Sequence, residues 1–86
     1  MKLKKEFVVH HAGEKSLLVP AGGAEFSGLI SGNRTFGEIL ELLRKDTSEA
    51  AVTAALRARY PGAEAEIEED VHTALEKLRG VHALED

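Results

Sequence analysis

The chain has 86 residues, a formal net charge of −4 and no cysteine. That length holds one hydrophobic core, so residues 1–86 read as a single domain. The acidic balance argues against a general nucleic-acid binder, and the missing cysteines exclude thiolate metal sites, Fe–S clusters and cysteine nucleophiles. With 30% charged and 43% apolar residues the composition suits a soluble domain. Apolar runs such as Leu17-Leu18-Val19 are far too short to span a bilayer. Glu6 and His10-His11 interrupt what would be the apolar core of a signal peptide, so a cytoplasmic location is expected.

In chain order, Lys5 to His11 alternates as a strand, with Phe7 and Val9 on one face and Val8 and His10 on the other. Ala12-Gly13-Glu14 supplies a turn in which Gly13 tolerates positive φ. Lys15 to Val19 is the second strand, ended by Pro20. After the loose turn Ala21-Gly22-Gly23-Ala24, a third strand runs from about Glu25 to Ser31. Its residues Phe26, Gly28 and Ile30 share one face, and Ser27, Leu29 and Ser31 the other.

Helical spacing takes over at once. Asn33 caps the first helix, or Thr35 does so in a capping box with Glu38. Phe36, Ile39, Leu40 and Leu43 face the core, and Arg44 and Lys45 match the negative end of the helix dipole. Gly37 costs this helix about 1 kcal/mol relative to alanine, which points to a close packing contact. Asp46-Thr47-Ser48-Glu49 offers caps for a second helix to about Tyr60, with Val52, Ala55, Leu56 and Tyr60 as its apolar stripe. Pro61-Gly62 stops it. A third helix runs from near Glu64 to Arg79, with Ile67, Val71, Ala74, Leu75 and Leu78 along one face and Gly80 as its C′ residue. Val81, Ala83 and Leu84 fold back onto the core in this reading, and Glu85-Asp86 fray. The expected fold class is α+β: a three-stranded antiparallel sheet followed by a three-helix bundle, winged-helix-like.

Chemistry-bearing constellations are sparse. His10 and His11 point to opposite faces of a strand, and no two histidines stand at i,i+4, so no metal site is expected. The glycines form no phosphate-cradling loop ending in lysine, and no serine sits on a nucleophile elbow near a histidine. No cofactor and no catalysis are expected. A winged-helix DNA reader or a dimerisation module is the alternative. As a DNA reader it would set Glu64, Glu66, Glu68, Glu69 and Asp70 against phosphate, which electrostatics oppose.

A third strand at the side of its sheet would leave one edge open, and an extended peptide can complete such an edge by strand addition. The apolar face of the third helix would then supply a side-chain groove, although the same residues serve equally well in an intramolecular core. About five strand hydrogen bonds at roughly 0.5–1.5 kcal/mol each and two apolar anchors at about 1.5–3 kcal/mol each, set against the cost of association, give an expected affinity near micromolar.

Several stretches carry a family resemblance: Met1-Lys2-Leu3-Lys4-Lys5-Glu6-Phe7-Val8-Val9, Leu18-Val19-Pro20, and above all Phe26-Ser27-Gly28-Leu29-Ile30-Ser31-Gly32-Asn33-Arg34-Thr35. With Glu41-Leu42-Leu43, Asp70-Val71 and Leu75-Glu76-Lys77-Leu78-Arg79 they resemble the PqqD family, in which a phrase close to F-N-G-M-I-x-L-N-E-T precedes a helix ending in E-L-L. Gly32 stands where that family usually has leucine, and Arg34 where it has an acidic residue. The resemblance implies a peptide chaperone, akin to the recognition elements for leaders of ribosomally synthesised, post-translationally modified peptides, the pyrroloquinoline quinone precursor being the namesake. It implies as partners a precursor leader peptide and a radical S-adenosylmethionine or other peptide-modifying enzyme, with no nucleic acid and no membrane; a homodimer stays open. The implied groove lies between the third strand and the third helix, at Phe26, Ser27, Gly28, Leu29, Ile30 and Ser31 facing Val71, Ala74, Leu75 and Leu78.

Overall fold

In a computed structural model that describes residues 1–20 and 30–85, the first regular unit is a hairpin. Strands β2 (Phe7–Ala12) and β3 (Lys15–Pro20) pair antiparallel, Ala12 opposite Lys15, so the connection is two residues long. Gly13 has φ +64° there. Positive φ at the first turn residue is the conformation a type II′ turn needs and a side chain resists. Strand β4 (Ile30–Gly32) pairs with the far side of β3, which gives the sheet order β2-β3-β4. Residues 21–29, which hold the loose turn and most of the expected third strand, lie outside the described residues.

Cross-strand partners share a face, so the register sorts the sheet. Val9, Leu18 and Ile30 line one face, and His10, Leu17 and Ser31 the other. Leu18, on the central strand, is completely buried. It joins a core built from α1 (Arg34–Leu42), α2 (Glu49–Arg59) and α3 (Glu64–Gly80). Phe36, Ile39, Leu40 and Leu43 come from α1 and the residue after it, Val52 and Leu56 from α2, and Ile67, Val71, Ala74, Leu75 and Leu78 from α3. The α+β order expected from the sequence is the one observed.

Local chemistry explains the helix starts. The Asn33 side chain accepts from the Phe36 backbone N–H at 3.0 Å, and Ser48 Oγ accepts from Ala51 N–H at 3.1 Å. Of the two cap candidates for α1, Asn33 therefore takes the role, and Glu38 is left for another contact. Helix α1 ends at Leu42, so Arg44 and Lys45 fall beyond its last turn, and Arg44 turns back onto Glu41 instead.

The end of α3 differs from expectation. Gly80 is still helical, and the left-handed residue is His82, with φ +59°. His82 N–H bonds the Arg79 carbonyl at 3.0 Å and Ala83 N–H bonds the Leu78 carbonyl at 2.9 Å. These are the two bonds of a Schellman motif, with histidine in the C′ place that glycine usually fills. The hydrophobic pull on Ala83, which is fully buried, sets where the chain must turn. A non-glycine residue in that conformation costs about 1 kcal/mol or more, so His82→Gly is expected to raise stability by about 1 kcal/mol in urea unfolding.

That turn delivers Leu84–Glu85 (β5) to Lys2–Leu3 (β1), forming a separate two-stranded sheet. Glu85 is thus paired, opposite Lys2, rather than frayed. The Leu3 N–H also donates to the Leu43 carbonyl and the Lys4 N–H to the Ala83 carbonyl, so the first residues tie the end of α1 to the end of the chain. No helix among the described residues is long and apolar enough to cross a membrane.

Candidate functional site

Among the described residues, clefts open on both sides of α1. The first, of about 370 Å³, opens beside the end of β4. One wall is Gly32, Asn33, Thr35, Phe36 and Ile39; the other is the face of α3 formed by Glu69, Asp70, Thr73, Ala74 and Lys77. Phe36, Ile39 and Ala74 are buried and form its floor, while Asp70, Thr73 and Lys77 stand exposed along the rim. Gly32 shapes the floor. A Cβ at this position would sit 2.4 to 2.6 Å from Phe36 Cβ, Cγ and Cδ2, so the ring lies directly against the strand backbone. Among the described residues the sheet has two outer strands, β2 and β4, and of these the cleft adjoins β4. Among the described residues nothing pairs with the outer edge of β4.

The expected groove residues distribute unevenly over this geometry. Phe26, Ser27, Gly28 and Leu29 fall outside the described residues. Ile30 is half-buried opposite Leu18, and Ser31 is exposed. On α3, Ala74 lines the cleft, whereas Val71, Leu75 and Leu78 are fully buried behind it in the core. The surface that α3 turns to the cleft is the next stripe round the helix, at Asp70, Thr73, Ala74 and Lys77, spaced i, i+3, i+4, i+7. Its polar character gives no sequence signal that tells it from a solvated helix face.

The second cleft, about 390 Å³, lies on the other side of α1 and includes His11, Ser16, Arg34, Gly37, Glu38, Glu41 and Arg59. Here the structure joins residues the sequence left apart. His11 Nδ1 is 2.9 Å from Ser16 Oγ, and His11 Nε2 is 2.8 Å from Glu41 Oε2. The His11 hydrogen bond, helped by Arg44, holds the Glu41 carboxyl below the usual carboxylate range. A serine, a histidine and a carboxylate in a row invite comparison with a hydrolase triad, but the serine has no approach. Ser16 is 4% exposed, and its hydroxyl lies where a side chain on Gly37 would be, only 2.0 Å from an added Cβ. The arrangement is a strut between the hairpin and α1. Nearby, the Tyr60 hydroxyl donates to Glu38, which raises the tyrosine pKa and ties the end of α2 to α1.

Among the described residues no group of three or more histidine, aspartate or glutamate side chains is placed to hold a metal ion. The His72 ring nitrogens lie 3.5 Å from Glu49 and 3.9 Å from Glu76, an exposed arrangement across α2 and α3.

A solved structure titled "TbiB1 in Complex with the TbiA(beta) Leader Peptide" shares this fold, with a TM-score of 0.76 and 20% sequence identity over 99% of this chain and 95% of that one. No curated protein matches the chain. Residues 14–84, from the hairpin turn through all three helices to Leu84 of β5, match the family Coenzyme PQQ synthesis protein D. With the match spanning β3, β4, the first cleft and the whole helical half, the chain belongs to the PqqD family.

Proposed function

We propose that this protein is a peptide chaperone that takes up the leader of a ribosomally made precursor as an added strand on the outer edge of β4, in the groove against α3. It then presents that peptide to a modifying enzyme, of the radical S-adenosylmethionine or another class, and acts by binding rather than turnover. The observation that carries this reading is the position of β4, an outer strand without a described partner on one side, beside a cleft whose far wall is α3. Strand addition supplies affinity through backbone pairing, and the pockets beside the edge supply selectivity. Family membership supports it, as does the likeness in fold to a protein solved with a leader peptide bound.

Ser31 and Gly32 bring little side-chain bulk to the edge, which suits close approach of another backbone. Val71, Leu75 and Leu78 act from behind, holding α3 at a set distance from the sheet. The direct test is amide exchange on the isotope-labelled chain with synthetic leaders of precursor peptides encoded beside its gene. Bound leader is expected to slow exchange at alternate residues across the β4 edge, because successive N–H groups of a strand point to opposite sides. Protection confined to β2, or absent from both edges while the peptide still binds, would remove the assignment to β4.

A further inference from the structure

The acidic side chains that link one element to another are paired. Glu38 serves Tyr60 and Arg59, Glu41 serves His11 and Arg44, and Glu68 meets Arg57 at 2.8 Å. The two that line the first cleft, Glu69 and Asp70, like the exposed Glu6, Glu14 and Glu66, have no hydrogen-bond or ion-pair partner among the described residues, but they alone of these face that cleft. Lys77, farther along the same wall, is likewise unpaired among them. The helix dipole does not account for these acids, because its influence fades within the first turn of α3 and both lie beyond it. Nor does the opposite wall balance them, since Gly32, Asn33, Thr35, Phe36 and Ile39 are all neutral.

The cleft is therefore charged on one wall only, negative at one end and positive at the other. At about 1.5 Å of rise per residue, Glu69 and Lys77 are about 12 Å apart along α3. Four residues of extended chain cover about 13 Å, and at that spacing side chains return to the same face of a strand. We propose that the groove selects a peptide segment carrying a basic and an acidic side chain four positions apart, the basic one against Glu69 and Asp70 and the acidic one against Lys77. The inference rests on the peptide-groove reading above and adds to it a class of ligand and a direction. An open strand edge accepts a parallel or an antiparallel partner, whereas two opposite charges admit one direction for a given sequence. Rim charges of this kind sort partners more than they add affinity.

All three residues are exposed, so reversing them leaves the core untouched. The experiment presents a randomised peptide library to the unaltered chain, to Lys77→Glu and to the double variant Glu69→Lys/Asp70→Lys. Peptides retained by the unaltered chain are expected to carry the opposite-charge pair at the i,i+4 spacing about threefold more often than the input, the size expected of exposed ion pairs. Lys77→Glu is expected to convert the acidic position to a basic one, and the double variant to convert the basic position to an acidic one. Both preferences should fade in high salt. The same charge pattern from all three proteins overturns the inference; if those peptides still protect β4 amides from exchange, the groove reading stands without it. If no retained peptide protects β4, the groove reading falls and the charge rule falls with it.

Discussion

Gly37→Ala is expected to lower the stability of the fold by about 1–3 kcal/mol, the range for overpacking a filled site. On an exposed helix the same change would raise stability by about 1 kcal/mol, so the sign alone is informative. An added Cβ would lie 2.0 Å from Ser16 Oγ and 2.9 Å from Ser16 Cβ. Ser16 has little room to retreat. It is buried, it is bonded to His11, and His11 is anchored on Glu41, one turn along the same helix from Gly37. Either the hairpin lifts off α1 or the Ser16–His11 bond breaks, and a lost hydrogen bond of this kind costs about 0.5–1.5 kcal/mol. Urea unfolding measures the difference. Ser16→Gly in the same background should recover part of it by emptying the contested space, and a Gly37→Ala chain more stable than the original would show that the contact is absent.

Thr73→Trp is expected to weaken leader binding at least about tenfold, or roughly 1.4 kcal/mol, while leaving the unfolding midpoint almost where it was. Thr73 is exposed in the middle of the α3 wall, between Asp70 and Lys77 on the cleft side, so an indole there fills the groove without entering the core. Leu75→Ala, two positions on, should do the reverse. It should cost about 2–5 kcal/mol of stability, because Leu75 is completely buried, and should affect binding only through the fold. Calorimetric titration of both variants with the same leader separates the two roles. Full affinity in Thr73→Trp would place the peptide somewhere other than this cleft.

The contrast between Thr73 and Leu75 also marks how far the sequence could be read. Period-two alternation at Phe7–His11 and Lys15–Val19, and helical spacing in the three later segments, lead to the elements observed, because each buries one face against a shared core. The groove was harder to place. Val71, Leu75 and Leu78 were expected to line it for their apolarity, but an amphipathic helix commits such residues first to its own core. The face of α3 that the cleft exposes is the shoulder of the stripe, where Ala74 is joined by polar neighbours. Strands β1 and β5 are too short to show a period, and their pairing depends on backbone bonds between the two ends of the chain. The end of α3 misled for a related reason. Gly80 has the intrinsic preference for a left-handed turn, yet burial of Ala83 moved the turn to His82. His11, Ser16 and Glu41 come together only once the hairpin is laid on α1, so no local spacing announces them.

Gly32 and Phe36 carry a consequence beyond this chain. The Phe36 ring occupies the volume that a side chain at position 32 would need, so the two positions form a single steric unit. A relative bearing leucine in place of Gly32 cannot also seat a phenylalanine ring as it sits here; one bulky group must yield to the other. The two sites are therefore expected to covary among relatives, and the floor of the cleft in this chain is set by the pair and not by either residue alone. Leucine placed at position 32 of this chain alone would break that match, and because its Cβ would also meet Phe36 Cβ, a smaller residue at 36 would still need β4 and α1 to move apart.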